Sequence, residues 1–385
     1  METITQAAEV ADHDLPESDQ MKAAIYHQVG EPFTIDVVSR PTPGPTDVLI
    51  QLQACSFIPN LVAMLDPPQP LIAPARPSSY GLDPVGVVTA KGASVYGFEV
   101  GDRVYVNPHR FCQECHACRK GHTAACEYSA FNGYFGIGRE STKMLAAYPY
   151  GGFAEYMVAP QYTLVRLPES VSSETATRWG YLGTGYAALK RAGVGIDTTV
   201  LINGISGTLG LGTALLALAL GVPKVFGVGH DLDRLNEVKA IDPERIMVAS
   251  VDQVDSVGAW VHSETGGVGA DVVIDALPTG GSPEAYKAGV DALARGGTHV
   301  NIGGVLEAIP LNVNVMMHSQ QTFTGSFWFT TAQGEEMTKL VHQGLLNLDV
   351  FDNVSFDLLH INQALETVQS GTHNGGFTNF VITIR

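Results

Sequence analysis

The sequence predicts an α/β protein of two domains, a β-rich one and a doubly wound parallel sheet. Three observations carry that expectation. Residues 198–230 read as strand, tight glycine turn, helix and second strand. Beyond them, short apolar runs alternate with amphipathic helical stretches, the pattern of a parallel sheet with helical crossovers. Before them, residues 21–107 alternate apolar and polar side chains between Gly/Pro turns, as antiparallel strands do.

Taken in order, Met21–Val29, Phe33–Val38, Asp47–Cys55, Val85–Ala90 and Arg103–Asn107 are expected strands, with turns at Pro41–Pro45 and Gly97–Asp102. A helical crossover from Glu174 to Ala192 leads into the second domain. Thr199–Asn203 is a short β-branched apolar run suited to a buried parallel strand. Gly204, Gly207 and Gly210 follow at three-residue spacing. From Thr208 the chain is Leu/Ala-rich with high helix propensity until Gly221 closes it, and Lys224–Gly229 is the next strand. Asp271–Leu277, Gly297–Gly303 and Thr322–Phe329 read as further buried strands, with a helix over Pro283–Arg295. The tail Glu335–Arg385 holds two helical stretches and a last strand, Phe377–Thr383.

Composition narrows the class. The 385 residues are too many for one ordinary domain, and 45% apolar content with 42 glycines marks a globular α/β chain. A net charge of −17 argues against nucleic acid or an anionic membrane surface as partner. The most apolar run, Ala214–Val222, falls far short of the ~20 residues a membrane span needs. Residues 1–20 are acidic, polar and aperiodic, and are expected to be a disordered leader. They carry no cationic start with an apolar core, so a cytoplasmic location is expected.

The glycine turn carries the first functional expectation. Glycines let the backbone turn tightly and approach a pyrophosphate, while the helix start offers unpaired N–H groups and the positive end of its dipole. Three glycines alone are a weak signal, and a purely structural turn is the alternative. Set between strand and helix in a βαβ unit, they predict dinucleotide contacts at Gly204, Ser206, Gly207, Thr208, Leu209 and Gly210.

Four of the five cysteines, Cys112, Cys115, Cys118 and Cys126, are spaced C-x2-C-x2-C-x7-C. Tetrahedral zinc held by four thiolates wants ligands delivered by tight turns, and a site with four protein ligands is structural because no open position remains. Disulfides and an iron–sulfur cluster are the competing readings; a reducing compartment disfavours the first. His116 and His122 lie inside the lobe and read as solvent-facing loop residues.

The β-rich domain, the four-cysteine lobe, the segment Gly151–Pro160 (GGFAEYMVAP) and the strand–glycine turn–helix unit occur in one order. Together they resemble the zinc-containing medium-chain alcohol dehydrogenase superfamily, from about Met21 to the C-terminus. The resemblance implies a GroES-like catalytic domain over 21–170 with its zinc lobe at 109–127, and a Rossmann domain over 171–330. It implies a C-terminal segment, 331–385, that completes the catalytic domain, with the active site in a cleft between the two. It adds Thr184, Leu277 and Gly303 to the cofactor's neighbours.

Relatives in that superfamily mostly carry a second, catalytic zinc, and here the sequence departs. The positions corresponding to the metal-binding Cys and His are Ile58 and Leu82, and the third ligand falls at Gly180 or Tyr181. Ile and Leu cannot ligate zinc, so a catalytic metal is not expected. A three-residue slip in register would make Cys55 a ligand; otherwise it reads as a small buried residue beside a strand end. Without the metal an unpolarised carbonyl accepts hydride poorly. Either a hydrogen-bond donor stabilises the oxyanion, or the acceptor is already activated, as in a conjugated enone or an iminium. Candidates around the position are Asn60, where the resemblance puts the proton relay, with Tyr80, Asp83, His109 and Tyr181. Each has a structural alternative: Asp83 pairing a cation or capping a turn, Tyr181 packing with its hydroxyl satisfied. Phe57, Phe135, Phe153, Leu306, Phe327 and Trp328 are candidates for an apolar pocket or plain core.

The second strand of a dinucleotide unit normally ends in an acid that accepts from the adenosine ribose and repels a 2′-phosphate. Here that position is Gly229, followed by His230 and, one turn on, Arg234, which suit a phosphate. This favours NADP(H) over NAD(H); Asp231 argues the other way unless it caps the next helix. The turn Gly204-Ile205-Ser206-Gly207 also resembles the quinone-reductase branch, whose members work without catalytic zinc and mostly use NADPH. The expected function is an NADP(H)-dependent reduction of a conjugated carbonyl, a quinone-like compound or an iminium. The alternatives are an alcohol/aldehyde dehydrogenase and a catalytically silent nucleotide-binding protein. The resemblance further implies a homodimer or homotetramer with a small-molecule substrate, and Thr322–Phe329 suits edge pairing.

Overall fold

The structure, a computed structural model, describes residues 19–371 and 375–385. The expected leader falls outside the described residues as far as residue 18, and the first strand, Gln20–Tyr26, starts inside its last position. The chain divides into two units, one of residues 19–163, 356–366 and 382–385, the other of 164–355, 367–371 and 375–381. Of the segment expected to complete the first domain, only 356–366 and 382–385 group with the first unit, and the other described residues group with the second.

The first unit is built around the strand Asp47–Ser56. Leu82–Lys91 pairs with it antiparallel on one side and Tyr156–Pro160 on the other, and Arg103–Val106 extends the sheet beyond Leu82–Lys91. The pairing with Leu82–Lys91 shifts register three times, the last between Cys55 and Ser56. Such irregularities bend a strand and re-aim its side chains, often beside a functional site. A second small sheet sets Gln20–Tyr26 between Thr34–Ser39 and Ser78–Ser79, and buries Met21, Ala23 and Ile25 against Ala154. A third, His109–Arg110 with Ala130–Phe131 and Phe135–Gly136, frames the cysteine lobe, which is the excursion between its first two strands.

The second unit holds a six-stranded sheet whose pairings are all parallel. Its order is Ile246–Ser250, Lys224–Gly229, Thr199–Asn203, Ala270–Asp275, Leu293–Asn301 and Thr322–Gly325. Parallel strands covered on both faces need near-continuous apolar runs, and VLI, VF and VVI at their centres are fully or almost fully buried. The strand order reverses beside Thr199–Asn203, the switch point at which such sheets bind ligands.

The bounds of Thr199–Asn203 and Lys224–Gly229 are those the sequence predicts, and the helix between them is Thr208–Ala219. Several readings change. The Thr322–Phe329 run is strand only to Gly325; it then leaves the sheet edge, with Ser326 N–H donating to Asn301 O at 3.0 Å. The helix Pro283–Arg295 stops at Asp291, because Leu293 already opens the next strand. The crossover splits into Ser173–Ala176 and Trp179–Arg191, broken where Arg178 turns inward to bond Gly376 O and Thr378 O. Several strands go unpredicted, among them Ile246–Ser250 and Asp352–Asp357.

His299 sits fully buried in the sheet, stacked on Phe323 at 5.3 Å and tilted against Tyr286 at 4.7 Å. Burial holds its pKa down to about 4, against about 6.5 in an unfolded chain. As pH falls, the unfolded chain therefore takes up the proton first. The stability owed to the neutral ring is intact above pH 6.5 and drains away between about 6.5 and 4, by on the order of 3 kcal/mol at most. His299→Phe, which keeps the stack, should flatten that limb of the urea-unfolding free energy plotted against pH; an unchanged limb would refute the assignment.

Candidate functional site

The glycine turn is shaped by what its backbone cannot accommodate. Gly204 has φ +87°, where a side chain is strained, and its N–H donates to Val228 O at 3.0 Å. A Cβ on Gly210 would run into Gly204 O, so that glycine lets the first helical turn pack against the strand end. Gly207 is the helix N-cap, with no side chain bonded over the first turn, so N–H groups at Thr208 and Leu209 face outward from a 12-residue helix. The outer side of the turn is covered by backbone: Gly376 N–H donates to Ser206 O at 2.9 Å.

Gly229 ends its strand with its α-carbon toward the Ser206 hydroxyl, where a Cβ would stand 3.2 Å from Oγ. His230 Nδ1 is 3.1 Å from Asp252, and Arg234 Nε is 3.3 Å from Asp231, so the ring and the guanidinium beside this position already face carboxylates. Asp231 caps the next helix, accepting from the N–H groups of Asp233 and Arg234 at 3.1 Å. Leu277 and Gly303 lie in loops beyond their strands, joined by Gly304 N–H to Leu277 O at 2.8 Å. Thr184 is buried inside Trp179–Arg191, its hydroxyl donating to Gly180 O at 2.9 Å. Tyr181 lies one turn back on that helix, its ring 5.6 Å from the Arg178 guanidinium.

In the first unit, Asn60 is exposed and its Oδ1 accepts from the Tyr134 hydroxyl at 2.6 Å. Nothing in the sequence around Tyr134 signals this pair; it is made by tertiary contact alone. Asp83 is buried with φ +62°, a conformation held in place by the Tyr105 hydroxyl donating to Oδ1 at 2.6 Å. Ile58 and Leu82 are both buried. The Cys55 thiol donates to Leu82 O at 3.0 Å, and burial, with Asp83 nearby, pushes its pKa up. Tyr80 is fully buried in an aromatic cluster with Tyr26 and Phe33, and among the described residues its hydroxyl has no hydrogen bond of good geometry. His109 stacks on Phe131 at 5.2 Å, bonds Ser129 Oγ through Nε2 at 2.9 Å, and is held down to about 4 by burial and then by Arg110. It is thus a neutral imidazole at physiological pH.

Among the aromatic candidates, Phe57 and Phe153 stack at 5.8 Å within the core, and Phe135 packs on Phe131. Leu306 and Phe327 are exposed instead, at 80% and 49%. A cavity of about 250 Å³ opens beside Asp47, Tyr148 and Tyr150, and none of the predicted site residues lines it.

The four lobe cysteines converge, with all sulfur atoms within 4.8 Å of one another and no disulfide. A tetrahedron with zinc–sulfur bonds of ~2.3 Å places its sulfurs about 3.8 Å apart, and Cys112 and Cys126 stand at 3.6 Å. Backbone N–H groups of Cys112, Cys115 and Tyr128 point at sulfurs at 3.3–3.4 Å, as a thiolate site requires. The donor set fits a structural zinc. Among the described residues no second group of three or more His, Cys, Asp or Glu side chains gathers its ligand atoms this way.

A β-rich unit with a four-sulfur lobe and a parallel sheet with an uncapped glycine turn define a dehydrogenase-type oxidoreductase. Comparison with known proteins agrees. Residues 44–169 match the alcohol dehydrogenase GroES-like domain and 208–343 the zinc-binding dehydrogenase domain. The chain belongs to the zinc-type medium-chain dehydrogenase/reductase superfamily. It is 28% identical to D-xylulose reductase A of Aspergillus oryzae over 77% of this chain and 78% of that one. It is likewise 28% identical to L-threonine 3-dehydrogenase of Xanthomonas campestris pv. campestris, over 91% and 99%. Its fold is similar to the thermostable alcohol dehydrogenase of Pyrobaculum aerophilum, with TM-score 0.74, 22% identity, and 94% and 99% coverage.

Cys118→Ser should abolish metal retention in the lobe and lower the thermal midpoint by several degrees, since bound metal adds its binding energy to folding. Atomic emission on the dialysed variant and calorimetry read the two effects; zinc retained at the wild-type level would refute the four-sulfur site.

Proposed function

We propose that the protein is an NADP(H)-dependent oxidoreductase that transfers hydride without a catalytic zinc, to a conjugated carbonyl, a quinone-like compound or an iminium. The observation that carries this is the pair Ile58 and Leu82. Both stand where the family resemblance puts metal ligands, both are apolar, and they are 3% and 6% exposed. Cys55 offers no substitute, because its thiol is spent on Leu82 O. When bound, the nicotinamide supplies or accepts the hydride. The chain's part is to hold the pyrophosphate on the uncapped N–H groups after Gly207 and to supply hydrogen-bond donors to the acceptor. An activated acceptor asks little electrophilic help, which suits a site whose donors are hydroxyls and amides.

The Gly229 position supports NADP(H), because no carboxylate there repels a 2′-phosphate. The His230–Asp252 pair is largely exposed and the Arg234–Asp231 pair partly so, and exposed pairs are worth about 0–1 kcal/mol, little for a phosphate to displace. Arg234→Ala should raise the KM for NADPH roughly tenfold, the loss of one charge-assisted contact, and leave that for NADH near its wild-type value. An equal change for both nucleotides refutes the phosphate contact.

A second reading, an alcohol or aldehyde dehydrogenase, is favoured by the Tyr134–Asn60 pair, a hydroxyl and an amide able to support a carbonyl oxygen. We place the protein in the cytoplasm as a homodimer or homotetramer. Exposed Val313, Val315 and Met317, beside the outermost strand Thr322–Gly325, support association. Metal content and an acceptor screen together test the reading. One zinc per chain, with NADPH-dependent reduction of enones, quinones or imines, is the expected result. Two zincs and turnover of simple alcohols would hand the lead to the second reading, and no turnover with any acceptor would leave a silent nucleotide-binding protein.

A further inference from the structure

The carboxyl-terminal edge of the parallel sheet carries a buried polar row that the expected chemistry leaves unused. Asn203, Asp275 and Asn301 occupy paired positions on three neighbouring strands. Each precedes a loop of the dinucleotide site: Asn203 the glycine turn, Asp275 the Leu277 loop, Asn301 the Gly303 loop. Asp275 is 0% exposed. Its Oδ1 accepts from Asn203 Nδ2 at 2.9 Å, and that amide also donates to Ala285 O at 2.9 Å. Among the described residues no side-chain donor reaches its Oδ2, although Leu277 N–H lies against the carboxyl, and the buried Oδ1 of Asn301, on the paired position of the next strand, has no donor. Gly303 presses directly on the same carboxyl, since a Cβ there would stand 2.9 Å from Oδ2. Backbone bonds bind the loops to this row, Ala276 N–H to Asn203 O and Ile302 N–H to Asp275 O, both at 2.9 Å.

We propose that Asp275 is a positioning residue of the dinucleotide site: a proton on its carboxyl, shared with Asn301, holds the glycine turn and the Leu277 and Gly303 loops in register, so that cofactor affinity follows that proton. Two buried acceptor oxygens without side-chain donors, on paired positions of adjacent strands, are costly, and one proton between them gives each a partner. Loss of the proton sets a buried negative charge beside Asn301 Oδ1 and beneath the loops that receive an anionic cofactor. Both effects weaken binding. Burial pushes the Asp275 carboxyl up to about 6, partly offset by the bonds from Asn203 and Leu277 N–H. The titratable group facing it from the covering helix Pro283–Asp291 is Tyr286, which burial and then Asp275 push up to about 12, so it stays neutral. Among the described residues no cation acts on the carboxyl.

The inference rests on the dinucleotide reading above, and the test separates the two. NADPH and NADH dissociation constants are measured by fluorescence from pH 5 to 8 on the full chain and on Asp275→Asn. In that variant Oδ1 still accepts from Asn203, and the new amide donates permanently to Asn301. Wild-type binding should weaken by about threefold or more through pH 6, while the variant keeps the acid-limb affinity at every pH. Thermal midpoints are read in parallel without nucleotide. A folded carboxyl near 6 lies above its unfolded value of about 3.8, so the wild type loses stability as pH rises through that window and the variant does not. The variant's lead should therefore grow from pH 5 to 7. Measurable binding with a pH-independent affinity overturns the proposal alone; it would mean that the Asn301 amide is turned to donate to an ionised Asp275. If neither nucleotide binds at any pH, the proposal falls with the reading beneath it, and the stability curves show whether Asp275 carries the proton regardless.

Discussion

The second unit depends on one close approach: the α-carbon of Gly210 against the carbonyl oxygen of Gly204. Any side chain there would push the helix Thr208–Ala219 off the end of its strand. With the helix in place, its first N–H groups are directed at the switch point of the sheet and have no capping side chain. The turn therefore leaves N–H groups of a polarity suited to an anion as a by-product of packing, with no charged residue needed. That fits a chain of net charge −17 that is expected to hold a polyanionic cofactor.

The first unit shows the opposite economy. Around Cys55 the chain has a well-filled apolar region: Ile58, Leu82, Phe57 and Phe153 are buried, and the Cys55 thiol is bonded to backbone. What remains polar is held by neighbours, Asp83 by Tyr105 and Asn60 by Tyr134. The strained backbone at Asp83 survives because that hydrogen bond and the surrounding strands over-determine it. The cysteine lobe is separate in kind, a loop between two paired strands whose amides point at sulfur before any metal is considered.

Much of this was legible in the residues. Cysteine spacing foretold the sulfur cluster, and the bounds of Thr199–Asn203 and Lys224–Gly229 follow from short apolar runs closed by glycine or by Asn-Gly. Ile246–Ser250 escaped because it is a five-residue strand with two half-buried positions and no glycine punctuation before it. Thr322–Phe329 was overextended because its apolar character continues past Gly325 into residues that pack without pairing. The pairings that matter most for chemistry, Tyr134 with Asn60 and Asp275 with Asn203, join positions 74 and 72 apart in the chain. Local pattern cannot report such contacts. The acid that closes the apolar run VVID is a local signal at Asp275 that went unread.

The bond from Gly376 N–H to Ser206 O also sets an order of events. During synthesis the glycine turn leaves the ribosome long before the segment that covers it. Its strand, helix and neighbouring strand can form from local sequence, but the outer face of the turn waits for residues far downstream. High contact order of this kind slows the last step of assembly. A nascent chain thus passes through a stage in which the sheet is largely in place and the Ser206 carbonyl still faces water.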